Sequence, residues 1–220
     1  MSNYAVMRLQ KLKSLSAFAG IEQHDRERQK LRHRANPDLE KYNKHVLPKM
    51  YSQEQSLIDR FHDRVSGKKI RSNAVYGFEV VLSFSPEMTS RIDIATWLRA
   101  NAEWLSASFG GASNILDISL HMDEKTPHLH AVICPIDEYG KLNAKRFTGS
   151  RSQLSKLQDT YAESMKKFGL ERGVRYYERS EKVYHQNHKQ FRAKEQQQHN
   201  KALRSHSVLL DQHSKSEISR

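Results

Sequence analysis

The sequence predicts an α+β fold: a central antiparallel β-sheet with flanking helices, followed by a helical or flexible C-terminal arm. Period-two alternation of apolar and polar residues marks several strands, and two amphipathic stretches at helical spacing separate them. The strand connections read as hairpins, which only antiparallel pairing allows. Hydrophobic residues are 37% of the 220, and mean hydropathy is −0.82, enough apolar material for one large core but not two. Residues 1–180 are therefore expected to form one domain, with 181–220 as a polar, basic arm or tail.

Residues 3–12 form the first expected strand, with Tyr4, Val6, Arg8 and Gln10 opposite Ala5, Met7, Leu9 and Lys11. From Ser14 the pattern turns helical, and the polar run to Arg34 reads as a solvent-exposed helix broken at Asn36-Pro37. Residues 38–72 are polar with scattered Tyr, Leu and Ile, a second helical or partly mobile region. Val75 to Phe84, β-branched and aromatic and closed by Pro86, reads as a central strand. Ser90 with Asp93 resembles a capping box opening a helix, with Ile92, Ala95, Leu98, Ala102, Leu105 and Phe109 on its buried stripe and Gly110-Gly111 as its stop. Asn114 to His121 alternates again, turns at Glu124 to Pro127, and returns through the apolar Ala131-Val-Ile-Cys-Pro135. A last amphipathic helix runs from about Ser152 to Phe168, with Leu154, Leu157, Tyr161, Met165 and Phe168 on one stripe and Gly169 at its end. Residues 171–220 carry 11 Lys or Arg against 6 Asp or Glu and too few apolar residues for a core.

Charge and composition narrow the function classes. A net charge of +12 and a pI near 9.7 favour a polyanionic partner, and nucleic acid is the first expectation. The charge is grouped: Arg26, Arg28, Lys30, Arg32 and Arg34 form one cluster, and Lys141, Lys145, Arg146 and Arg151 another. No stretch approaches the roughly 20 apolar residues of a membrane span, so no membrane insertion is expected. The N-terminus lacks a basic segment followed by an apolar one. A single cysteine, Cys134, excludes an internal disulfide and fits a reducing cytoplasm, the expected localisation. Its apolar strand makes it a buried structural thiol.

The chemistry concentrates in His121-Met-Asp-Glu-Lys-Thr-Pro-His-Leu-His130, three histidines and two carboxylates in ten residues. Strand alternation projects His128 and His130 side by side, and the hairpin returns His121 beside them. Three neutral imidazoles at one point suit a divalent transition ion of the Mn, Co, Ni or Zn kind, with Glu124 as a fourth ligand or an orienting group.

This motif resembles the metal motif of plasmid mobilisation relaxases of the Mob/Pre (MobV) family, which have a His-hydrophobe-His (HUH) endonuclease fold. Other segments match in the same order over roughly residues 1–185: Ala5-Val-Met-Arg-Leu-Gln-Lys-Leu-Lys13, Gln23 to Arg28, Asn36-Pro37 with Asn43, Asn73-Ala-Val75 with Glu79, Gly140 to Phe147 and Gly169 to Gly173. The resemblance implies an antiparallel sheet with helices on one face and a metal cleft on the other. It implies a metal-dependent endonuclease that nicks one strand of plasmid DNA at an origin of transfer and stays covalently joined to it. The implied cofactor is Mn2+ or Mg2+, held by His121, His128, His130 and Glu124. His24 takes the place of the nucleophile, forming a phosphoramidate, and Glu79 is the candidate acceptor that fixes its tautomer. Arg8, Lys11, Lys13, Arg26, Arg28, Asn36, Asn43, Lys145 and Arg146 are the candidate DNA contacts. The implied partners are origin DNA, single-stranded and hairpin, and a conjugative coupling protein. Two alternatives stay open: a rolling-circle replication initiator with a tyrosine nucleophile, for which Tyr42 is the candidate, and a non-catalytic DNA-binding regulator.

Overall fold

In β3 (Gly77–Phe84), the side chains of Phe78, Val80, Leu82 and Phe84 all face one core, while Glu79, Val81 and Ser83 face the other way. The computed structural model describes residues 3–26, 35–52 and 54–175, and this alternation organises all of them. The remaining elements are β1 (Tyr4–Leu12), α1 (Leu15–Arg26), β2 (Lys44–His45), α2 (Leu57–Val65), α3 (Ile94–Ser108), β4 (Ile115–His121), β5 (His128–Ile133), α4 (Ala144–Thr148), α5 (Arg151–Met165) and β6 (Glu171–Arg172). The strands form a six-stranded sheet in the order β2-β4-β5-β3-β1-β6. Every pairing is antiparallel except β1 with β6, so the expected antiparallel sheet is a mixed one with a parallel edge strand. The unit containing the sheet is Met1–Gly173. The expected arm at 181–220 lies outside the described residues.

Helices cover both faces, not one. On the first face α3 and α5 pack Trp97, Trp104, Leu105, Tyr161 and Met165 onto Phe78, Val80, Leu82, Leu129, Ala131 and Ile133. On the second, Phe18 and Ile21 of α1 and Leu57, Phe61 and Val65 of α2 cover Leu12, Leu116, Val132 and Cys134. The physical reason is that these four residues, on the strands or just past the end of β5, give the second face an apolar end that must be removed from water. The rest of that face is polar and holds the histidines. Consequently α1 is not the exposed helix expected; Phe18 is fully buried.

Other differences are local. Asp93, rather than Ser90, is the N-cap of α3, accepting from the Thr96 amide at 2.9 Å. The buried face of α3 is set by Trp97, Ala100, Asn101, Trp104 and Leu105, whereas Ala95 is exposed and Leu98 and Ala102 are half-buried. Two indoles seven residues apart bury more area than the small side chains on the expected stripe, and they fix the helix phase. α5 begins with a capping box of Ser150 and Gln153 and, after a 3-10 turn over Lys166–Phe168, ends at Gly169 with φ +73°. Only glycine adopts that conformation without strain.

Candidate metal centre

β4 and β5 form the expected hairpin, in a register that pairs His121 with His128 and Ser119 with His130. The three imidazoles converge: ring centroids are 5.1 Å apart for His121 and His128, 5.0 Å for His121 and His130, and 5.1 Å for His128 and His130. Metal–nitrogen bonds of about 2.1 Å place each ring centroid about 3.3 Å from an ion, so two ligands at right to tetrahedral angles have centroids roughly 4.7–5.4 Å apart. The histidines fit one divalent ion.

Two of the rings are held by a hydrogen-bond acceptor on one nitrogen, and the third has a buried carboxylate beside one nitrogen. His130 Nδ1 is 2.8 Å from Glu79 Oε1. His128 Nδ1 is 2.9 Å from the Thr126 carbonyl oxygen. His121 Nε2 is 3.0 Å from Asp25 Oδ1. An acceptor on the remote nitrogen fixes the tautomer and raises the basicity of the other, the usual support of a metal-binding imidazole. Glu79, expected beside His24, thus supports His130. Glu79 and His130 lie on adjacent strands, where Val81 pairs with His130 and Glu79 is its diagonal neighbour on the same face. Glu124 stands at the hairpin turn, Oε1 3.9 Å from His128 Nε2. Its carboxylate, with His121 and His128, forms a group whose donor atoms lie within 4.8 Å of one another.

His24 reaches the same place from α1. Its ring is 5.5 Å from His121 and 5.4 Å from His130, and the three offer donor atoms within 4.8 Å. At that distance it can be another ligand or can attack a group held by the ion. Tyr42 is half exposed at 52%, on the 3-10 turn Pro37–Tyr42, with the Lys41 ammonium 5.2 Å from its ring centroid.

The candidate DNA contacts separate. Arg8 is exposed and shares the histidine face, since it pairs with Val81, which pairs with His130. Two strand spacings, about 10 Å, separate its backbone from that of His130. Lys11 pairs with Phe78 and so belongs to the opposite face, while Lys13 is exposed beyond the strand end. Asn36 and Asn43 are occupied structurally. Asn36 caps the 3-10 turn through the Asp38 amide, its own amide donates to Asp123 O at 2.6 Å, and Asn43 Oδ1 accepts from the Met122 amide at 2.6 Å. Both residues fasten this segment onto the turn between β4 and β5. Lys145 and Arg146 are exposed on α4, which follows the end of β5 away from His128, and Arg146 is paired with Glu138 at 2.8 Å. The structure does not bring them to the histidines. Arg26 closes α1, and Arg28 lies outside the described residues.

A buried network behind His121 was missed from sequence. Ser119 Oγ lies 2.9 Å from Asp25 Oδ2, 2.8 Å from Asp117 Oδ2 and 3.2 Å from His45 Nδ1. One hydroxyl hydrogen serves one carboxylate at a time, so these groups share protons. Burial holds the Asp25 carboxyl above its ordinary range, although His130 and Ser119 oppose the shift. Burial alone would also raise Asp117, but His45 Nδ1 at 3.8 Å, the Ser119 hydrogen bond and the Arg60 charge outweigh it and leave it low. The nearby Asp117 carboxylate in turn raises His45. Arg60 is 5% exposed and donates to Asp117 Oδ1 at 2.7 Å and to the carbonyls of Leu116 and Gln55 at 3.3 and 2.9 Å. Its replacement by leucine is expected to lower unfolding free energy by about 3–5 kcal/mol, because a buried carboxylate and two carbonyls lose their donor. Urea denaturation of the metal-free protein measures this. Only the alternation of Asp117, Ser119 and His121 on one strand face signalled the network in advance. Cys134, fully buried, has its thiol pushed up to about 12 by desolvation and is inert at neutral pH.

This sheet with its histidine cluster defines a relaxase-type domain. The chain is similar to the MobM relaxase domain in a Mn-bound crystal structure with 22 nucleotides of plasmid pMV158 oriT DNA, at TM-score 0.73 and 25% identity, covering 86% of this chain and 99% of that one. A second MobM relaxase domain structure, with 26 nucleotides of the same DNA, gives a TM-score of 0.62 at 26% identity, covering 86% of this chain and 99% of that one. More narrowly, the chain belongs to the Mob_Pre family of plasmid recombination enzymes, which matches residues 1–193. Among curated relatives it is 32% identical over 184 residues to a 65 kDa protein of Zymomonas mobilis, covering 80% of this chain and 30% of that protein. It is 31% identical over 181 residues to the plasmid recombination enzyme type 3 of Staphylococcus aureus, covering 78% of this chain and 43% of that protein. The chain thus spans less than half the length of these two relatives. Among the described residues no helix is long and apolar enough to cross a membrane.

Proposed function

We propose that this chain is the DNA-nicking domain of a mobilisation relaxase, cutting one strand of plasmid DNA at an origin of transfer with His24 as nucleophile. The observation carrying this reading is the placement of the His24 ring within 5.5 Å of two of the three supported imidazoles. A neutral His24 nitrogen attacks the scissile phosphorus. As the phosphorus–nitrogen bond forms, the bond from phosphorus to one deoxyribose oxygen breaks, and that oxygen leaves and takes up a proton. The bond energy stays in the phosphoramidate, so the strand can be rejoined by the reverse step. His121, His128 and His130 would hold a divalent ion, Mn2+ or Mg2+, which supplies charge neutralisation for the phosphate oxygens in the transition state. Membership of a plasmid recombination family and the Mn and oriT DNA in the MobM structures support this reading. Incubating supercoiled plasmid bearing the cognate origin with Mn2+, Mg2+ or a chelator tests it. Open circles should form with either ion and be absent with the chelator; equal nicking in the chelator would refute the metal centre.

DNA binding is proposed to be strongly electrostatic. The net charge of +12 and the exposed Arg8 beside the site supply the phosphate contacts. With about six contacts, affinity for origin DNA should fall about 1,000-fold between 50 and 200 mM salt. Fluorescence anisotropy measures the slope, and a flat response would exclude a phosphate-driven interface.

A further inference from the structure

We propose that Asp25 is a positioning residue that fixes the tautomer of His121, so that His121 meets the metal through Nδ1 while His128 and His130 meet it through Nε2. This rests on the metal centre proposed above. Asp25 Oδ1 lies 3.0 Å from His121 Nε2, with the two side chains only 4% and 3% exposed. The approach is off the ideal hydrogen-bond line, and it is proximity and burial that commit the groups to each other. In water an imidazole exchanges its proton freely between nitrogens. Beside a buried carboxylate the proton resides on the facing nitrogen, and the opposite one keeps its lone pair for a metal.

Asp25 is itself held. Its second oxygen meets Ser119 Oγ at 2.9 Å, Ser119 meets Asp117 at 2.8 Å, and Asp117 is gripped by Arg60 at 2.7 Å. Four side chains from α1, α2 and β4 thus lead to His121 Nε2, the nitrogen opposite the one that would meet the metal. The contrast with the other two rings is instructive. Glu79 supports His130 from a neighbouring strand and the Thr126 carbonyl supports His128 from the turn, so both supports belong to the sheet layer. Asp25 alone comes from α1, and it directly follows His24. One carboxylate therefore aligns a ligand and sets the register of the helix that carries the nucleophile against the metal centre.

The test uses the full chain and Mn2+ alone. Isothermal titration measures Mn2+ affinity for the parent, Asp25→Ala, Asp25→Asn and a His128→Ala control, and 15N correlation spectra of the metal-free proteins report the His121 tautomer. The parent His121 should carry its proton on Nε2. Asp25→Ala should lose that preference and bind Mn2+ about 10–100-fold more weakly, the usual effect of removing an outer support. Asp25→Asn, whose amide oxygen can still face Nε2 at the same position, should retain most of the affinity. A merely structural role would lower stability without moving the tautomer. If Asp25→Ala does not fold, Ser119→Ala decides: a shift away from the Nε2 proton supports the assignment, and an unchanged tautomer overturns it. An Asp25→Ala protein with parental affinity and tautomer, beside a His128→Ala control that has lost Mn2+, overturns the role of Asp25 and leaves the metal centre standing. A parent that does not bind Mn2+ overturns both.

Discussion

Replacing His24 with alanine is expected to abolish nicking while leaving origin DNA bound nearly as tightly as by the parent protein. One neutral side chain adds little to an interface driven by many cationic contacts. No nearby group can replace a covalent nucleophile at the right distance from the reacting phosphorus, so the rate should fall by at least about 1,000-fold. The donor-atom distances within 4.8 Å also allow His24 to be a ligand, and the two roles separate cleanly in Mn2+ titration. A nucleophile leaves affinity close to parental when removed, whereas a ligand takes most of it away. Tyr42→Phe serves as the counterpart. With Tyr42 half exposed on its turn and His24 the residue whose ring stands beside His121 and His130, that variant should nick at the parental rate. Anisotropy for binding and gel relaxation for nicking measure both variants.

The second large effect is expected at His128. His128→Ala removes one of three imidazoles and should weaken Mn2+ by at least about 100-fold, beyond the loss from removing an outer support. Nicking should fall with it, and excess Mn2+ should restore part of the rate. The fold should survive, because His128 lies on the polar part of the sheet face and its neighbours Leu129 and Ala131 supply the packing. Calorimetric titration gives the affinity, and urea unfolding of the metal-free protein should stay within about 1 kcal/mol of the parent. Loss of cooperative unfolding would make the residue structural.

The histidine hairpin was legible because strand alternation is a local code. His128 and His130 share a face whatever the rest of the chain does, and Glu124 to Pro127 allow only a short return. The strand from Gly77 to Phe84 and the helix ended by Gly169 were legible for the same reason. What the sequence hid depends on partners far along the chain. α1 is buried through Phe18 only because Leu116, Val132 and Cys134 leave an apolar end on the same sheet face as the histidines. The two-residue strand β2 has no periodicity to detect, and its pairing with Leu120 and Ser119 is a tertiary fact. The contact of Glu79 with His130 was not foreseen because strand parity gives a face but not the neighbour on it. Asp25, Ser119, Asp117 and Arg60 come from three segments, and each alone is an ordinary polar residue. Formal charge counts every Lys and Arg alike and says nothing of placement: Lys11 lies on the sheet face opposite the histidines and Lys145 on α4.

The central claim is that a histidine of α1 becomes joined to the cut strand. It is tested most directly by trapping the protein on a single-stranded origin oligonucleotide with Mn2+, digesting the adduct under neutral conditions and sequencing the DNA-linked peptide by mass spectrometry. Cleavage after Lys and Arg should give a modified peptide running from Ser14 to Arg26, with the nucleotide on His24 and the bond lost on brief acid treatment. An acid-stable adduct on Tyr42, or on any residue other than His24, would contradict it.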